Sequence, residues 1–247
     1  MKNIIAILIV VILVSGAYGI RYAVLKCNAD SYIDMANPDT NYGTATNLHS
    51  QVKFTYDGVN QRDLVLKFPF LRYEFPKNLI GKIKIREAGI NFYTTVYKTK
   101  TPDRTKTTFG CGLYPPRGPW TESTLVFNNA PGPYSPTLFL VTTEDANLTV
   151  KIGWNKFLFT PTGVLYLQDC MEGINPYNGF VSTLEIGVPQ GQTMTQGDYN
   201  HEMVIASREM PKYASNLIIG YDPKPGVILN STKVESKSIG EIKAKYH

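Results

Sequence analysis

The chain has 247 residues, 43% of them hydrophobic and 18% charged, with a formal net charge of +5. A chain of this length buries a real core and suits one large all-β domain as well as two small ones. The mildly basic balance permits weak attraction to acidic polymers but lacks the strongly basic signature of a nucleic-acid binder.

Residues 1–19 read as a secretory signal peptide: Lys2 gives a positive start, Ile4 to Val14 is unbroken apolar, and Ala17 and Gly19 stand at the small-residue positions of a cleavage site. The apolar run falls well short of the ~20 residues that span a bilayer. No later segment is apolar enough to cross one, so the expected location is extracellular, with no membrane partner after cleavage. From residue 20 onward the chain reads as strands and turns. Arg21 to Lys26 is a short strand, Val52 to Tyr56 alternates, and Asp57-Gly58 signals a hairpin. Asp63 to Phe70 suits a core strand, and Lys82 to Tyr97 is the clearest alternation, with Ile83, Ile85, Ile90 and Phe92 facing in and Lys82, Lys84 and Arg86 facing out. Leu138–Val141, Leu148–Ile152, Phe180–Ile186, Met203–Ala206 and Leu217–Tyr221 are further strands. One helix is predicted, capped by Thr160, opened by Pro161 and stopped by Gly173. About ten strands with frequent turns predict an all-β jelly-roll sandwich with one short helix over residues 20–221. Residues 222–247 are a polar tail, mostly Lys, Glu and Ser toward the end.

Cys27, Cys111 and Cys170 are odd in number; in an oxidising compartment they predict one disulfide and one free or intermolecular thiol, with the pairing open. Asn147 and Asn230 open N-x-S/T sequons and are glycosylation candidates. No catalytic motif occurs. His49, His201 and His247 are scattered, and neither GxSxG nor HExxH is present. Glu122, Glu185, Asp198, Glu202 and Glu209 are the carboxylates that paired glycoside chemistry would draw on, but no spacing singles out a pair. The expectation is a protein that is not an enzyme.

Bases and rings say more. Lys82, Lys84 and Arg86 precede Lys98, Lys100, Arg104 and Lys106; on one sheet face they would form a basic surface for carboxylated or sulfated glycans, and otherwise they are a solvated face. Tyr42, Tyr114, Trp120 and Tyr177 lie near Gly or Pro and offer rings for sugar stacking, or pack at sheet ends. Asp30, Asp34, Asp39 and Asn41 are hard oxygen donors close in sequence, a weak candidate for structural calcium that turn chemistry explains equally well.

Six segments then fall in a family order. They are ADSYIDMANPDTNYGTATNLH, RDLVLKF (Arg62–Phe68), IREAGINF (Ile85–Phe92), WTESTLVFNNAP (Trp120–Pro131), LFTPTGVLYLQDC with PYNGF, and ASREMPKYASNLIIGY. Together they resemble the DNRLRE domain family, which is related to disaggregatase repeats and alginate-binding carbohydrate-binding modules. The resemblance implies an exported jelly roll without catalytic activity of its own, in some members binding acidic polysaccharide. The leading expectation is therefore a secreted module that binds an anionic extracellular polysaccharide. The alternative is a structural subunit of a coat, matrix, fibre or adhesive, self-associating through its odd cysteine or the Arg21–Lys26 edge.

Overall fold

The computed structural model describes residues 20–132, 139–142 and 150–229. The expected leader, both sequons and all of the expected tail beyond residue 229 lie outside the described residues. The elements are β1 (Arg21–Asp34), β2 (Asn47–Tyr56), β3 (Gln61–Tyr73), β4 (Ile83–Lys100), β5 (Thr108–Tyr114), β6 (Phe139–Thr142), β7 (Gly153–Leu158), α1 (Pro161–Glu172), β8 (Phe180–Gly187), β9 (Gly197–Ala206) and β10 (Asn216–Pro223).

Alternation builds these strands. Along β2, Leu48, Ser50 and Phe54 are buried while Lys53 is exposed; along β4, Ile83 and Ile85 are buried between the exposed Lys84 and Arg86. What alternation leaves open is how the strands close, and here the expected two-sheet jelly roll is corrected. The order β1-β10-β4-β9-β2-β3, with β3 pairing back onto β1, is a closed six-stranded barrel. From β3 the sheet continues through β8, β5 and β6, and β7 adds to β4. The closure comes from long strands that change partner partway. Residues Arg21–Lys26 of β1 pair with β10; from Cys27 onward, with a bulge between Cys27 and Ala29, the strand pairs with β3. Likewise β4 pairs with β10 along its first half and, beyond a shift between Thr94 and Val96, with β9. Bulges bend and twist a strand, which is what a small barrel demands, and closure removes sheet edges.

Several strands differ from expectation; β1, for one, runs on to Asp34, well past the expected Lys26. Thr108–Tyr114 was not foreseen, because its two glycines disguise a strand that lies between β6 and β8. The expected strand at Leu148–Ile152 begins outside the described residues; the pairing starts at Gly153, where Thr94 of β4 supplies a partner. The main core joins the barrel interior (Leu48, Ile90, Phe92, Met203, Ile205, Leu217) to β5 and β8 (Leu113, Phe180, Leu184) and to Leu167 and Met171 of α1. A smaller cluster of Ala29, Ile33, Phe70, Trp120, Leu125 and Val181 anchors segment 118–131 on β1, β3 and β8.

The helix starts and stops as predicted. Thr160 accepts a hydrogen bond from Gly163 N at 3.1 Å, and Gly173 closes it in the left-handed region at φ 75°. It finishes the β4 edge where β7 stops. Phe159 N donates to Ala88 O, Ile85 N donates to Gln168 Oε1 at 2.6 Å, and Gln168 Nε2 donates to Ile83 O. Losing the cap frees the first turn, so Thr160→Ala should lower the unfolding free energy by about 1 kcal/mol while Thr160→Ser stays near wild type. Urea midpoints of the three proteins check this; equal midpoints would mean that Gln168 and the apolar face hold the helix without its cap.

Candidate functional site

The predicted bases do not converge. Lys84 and Arg86 lie near the start of β4, Lys98 and Lys100 at its end, and Lys82 just before it. Lys84 and Lys98 are therefore roughly 45 Å apart along the strand at about 3.3 Å per residue. Most are neutralised locally: Arg86 by Asp222 (2.7 Å), Lys98 by Glu202 (3.9 Å), Lys100 by Asp198 (2.9 Å) and Lys106 by Asp103 (3.7 Å). Arg104 stacks over Phe109, its guanidinium 4.6 Å from the ring centre.

The predicted rings pack rather than project. Trp120 is 5% exposed, donates Nε1–H to Asn178 O at 2.7 Å and meets Phe70 edge-on, with Arg72 above it. Tyr42 stacks on Tyr32 at 4.1 Å. Tyr177 packs between Phe75 and Phe180 and accepts a hydrogen bond from Tyr73 N; burial holds its hydroxyl well above the usual tyrosine range. Tyr114 donates to Glu185.

The candidate calcium donors at the end of β1 and in the loop after it are engaged by protein groups. Asp34 pairs with Lys67 at 3.2 Å and caps Ala36 and Asn37, and Asp39 accepts from Asn128. Asn41 donates to the carbonyls of Glu122 and Leu125. Gly43 lies against Glu122, where a Cβ would meet the Glu122 carbonyl at 2.6 Å. Among the described residues no group of three His, Cys, Asp or Glu side chains gathers for a metal. The expected disulfide is also corrected. Cys27 sits at the β1 bulge, Cys111 within β5 and Cys170 in the last turn of α1, and all three are free and buried. Burial lifts the Cys27 and Cys111 thiols to about 12 and that of Cys170 to about 11, so none is a thiolate at neutral pH.

Asp30 belongs to a different arrangement. It is 1% exposed, and its Oδ2 accepts Arg208 N at 2.7 Å. Glu122 accepts two bonds from the Arg208 guanidinium (2.8 and 2.6 Å) and a third from Asp30 N. Desolvation raises the Asp30 carboxyl to about 6 against its favourable contacts with Arg208. The other glycosidase candidates are spent on partners as well. Glu209 pairs with Arg208, and Asp198, held below the usual carboxylate range by its bond to Lys100, also bonds Thr55.

A surface that sequence reasoning missed lies on the outer face of β4 and β7. Tyr93 stands opposite Trp154, ring centres 5.5 Å apart and edge to face. Tyr213, from the β9–β10 crossover, lies over Tyr93 at 4.2 Å, with Lys212 Nζ 5.2 Å from its own centre. All three rings are half-buried. Lys156, exposed, pairs in register with Asn91, which donates to Asn216 Oδ1 at 3.1 Å. The Asn91 Oδ1 has no hydrogen-bond partner among the described residues. Rings offer flat apolar faces to the C–H side of a sugar, and amides and ammonium groups beside them meet its hydroxyls and carboxylates. Trp154 was there to be noticed as one of only two tryptophans, beside Lys156. Its meeting with Tyr93 and Tyr213 is a matter of register and crossover, which local sequence does not carry.

Residues 21–152 match the sequence model of carbohydrate-binding module family 96. The match takes in Tyr93 and stops short of Trp154 and Tyr213; it supports a carbohydrate-binding module and does not carry the DNRLRE name. No curated protein matches the chain.

Two outcomes test the Arg208 cluster. Arg208→Ala strands Glu122 and should cost about 2 kcal/mol of stability, and Arg208→Lys should recover only part, because an ammonium cannot make the two-bond fork. Denaturant unfolding measures both. The second outcome concerns pH. Folded Asp30 binds its proton near pH 6, the unfolded residue near 3.8, so this group adds stability as pH falls through that window. His201 does the reverse: burial lowers it to about 4 from 6.5, so stability drains as pH falls over nearly the same range. Asp30→Asn leaves His201 uncompensated. The variant should lose stability more steeply than wild type between pH 6.5 and 4, the gap reaching on the order of 2–3 kcal/mol. Parallel stability curves would show that Asp30 titrates normally.

Proposed function

The chain belongs to carbohydrate-binding module family 96, and from that membership we propose that it is a secreted, non-catalytic module that holds an acidic polysaccharide at a cell surface or in a matrix. The observation that carries the reading is the ring cluster of Tyr93, Trp154 and Tyr213 on the outward face of β4 and β7. Its bases favour an acidic ligand. Lys156 is exposed two residues beyond Trp154 on the same face of β7, and Lys212 lies over Tyr213, which places two ammonium groups beside the rings for a carboxylate. The reading as a thiol-linked structural subunit finds less support, since Cys27, Cys111 and Cys170 are all buried and protonated at neutral pH.

Affinity gel electrophoresis tests the proposal, with alginate, pectate, a sulfated polymer and a neutral glucan in the gel at two salt concentrations. At least one acidic polymer should retard the protein, and less so at high salt, because exposed charge contacts are screened. Trp154→Ala should reduce retardation at least tenfold, a loss in line with about 1.4 kcal/mol or more for one ring, without changing the melting temperature by more than a few degrees. Free migration of the wild type through all three acidic polymers would defeat the reading.

A further inference from the structure

We infer that the ligand is an interior stretch of a long polysaccharide chain lying lengthwise along the outward face of β4; the inference rests on the ring cluster being the sugar contact. Buried residues define that face. Ile83 and Ile85 point in, then Ala88, Ile90 and Phe92, and beyond the second shift Tyr97 packs against the core. The inward positions change parity twice, once where Arg86 is passed over between Ile85 and Glu87, and once at Thr95 between Thr94 and Val96. Each irregularity moves the alternation by one residue. Lys84 and Arg86, then Asn91, itself buried, and Tyr93, then Lys98 and Lys100 therefore point to one side of the strand, although in sequence they switch from even to odd and back to even. The rings stand near the middle and a pair of bases near each end.

The shape of this face separates a chain interior from a chain end. A terminal sugar is recognised by a pocket whose wall stops the polymer. A sugar stacked on the rings cannot reach either pair of bases, whereas a polymer reaches both. Lys84 makes no ion pair among the described residues, and Lys98 and Lys100 are about two-thirds exposed despite their partners Glu202 and Asp198. Glu87, the one acid of β4, accepts a hydrogen bond from the Tyr22 hydroxyl at 2.7 Å and keeps its charge. Contacts of this kind are individually weak, and a continuous ligand adds them by raising the effective concentration of each successive group.

The experiment is a titration of the full chain with size-fractionated oligogalacturonates and alginate oligomers, from trisaccharide to lengths that exceed the strand, at low salt. Affinity should keep rising well beyond the trisaccharide. The double variant Lys84→Gln/Lys98→Gln should bind the longest oligomer roughly tenfold more weakly, about threefold for each base, and bind the trisaccharide like wild type. A plateau at the trisaccharide, or an unchanged affinity of the double variant for the longest oligomer, overturns the inference while leaving the ring cluster intact. If Trp154→Ala binds every length like wild type, the ring-cluster reading itself fails, and the inference with it.

Discussion

Arg208 holds three distant stretches of chain at once. Its backbone N–H reaches Asp30 on β1, its guanidinium forks onto Glu122 in segment 118–131, and it begins the crossover from β9 to β10. Glu122 closes the triangle by accepting Asp30 N, and its carbonyl receives Asn41 from the opening loop. Taking charges out of water is costly unless they are matched, and Glu122 and Arg208 match each other in only one relative placement of the three stretches, with Asp30 Oδ1 left without a partner among the described residues. The same crossover carries Tyr213, five residues beyond Arg208, over Tyr93. The ring cluster therefore inherits its geometry from an ion pair that does not touch it.

The barrel shows a comparable economy in its long strands. A strand with perfect alternation would drive its outward residues around a flat sheet, and a six-stranded ring does not permit flatness. Bulges in β1 and β4 supply the bend, and in β4 they also keep bases and rings on a common face. Asp30 and His201 are among the ionisable groups that the interior tolerates under this regime. Asp30 is held by one hydrogen bond from the Arg208 backbone N–H, and His201 stays neutral with Nδ1 against Glu185 O and its ring between Tyr97 and Phe109. Their titrations pull stability in opposite directions over one pH range, so neither shows plainly while the other is present.

The candidate surface was half legible. The bases of β4 were correctly read as outward-facing, because Lys84 and Arg86 alternate with isoleucines. Their gathering into one groove was not found, since that requires distance along an 18-residue strand rather than sequence proximity. Trp120 and Tyr177 take the second of their two expected readings, packing at sheet ends, for a related reason. Position beside Gly or Pro places a ring near a turn but does not say whether the turn folds inward, and both fold onto Phe70 or Phe180. The cysteines misled through parity: an odd count was read as one bridge and one free thiol, while two strands and one helix bury each thiol separately.

The sequence by itself determined the all-β class, the hairpin at Asp57-Gly58, the helix from its Thr160 cap to Gly173, and the order of segments that points to a carbohydrate-binding module. These follow from local chemistry: alternation, capping and turn residues act over a few positions and are written where they act. Only the tertiary structure decided that the strands close into a barrel, that Asp30, Glu122 and Arg208 meet, and that Tyr93, Trp154 and Tyr213 form one surface. Each of those depends on register and on where a strand bulges, and a shift of a single residue turns every side chain beyond it to the opposite face.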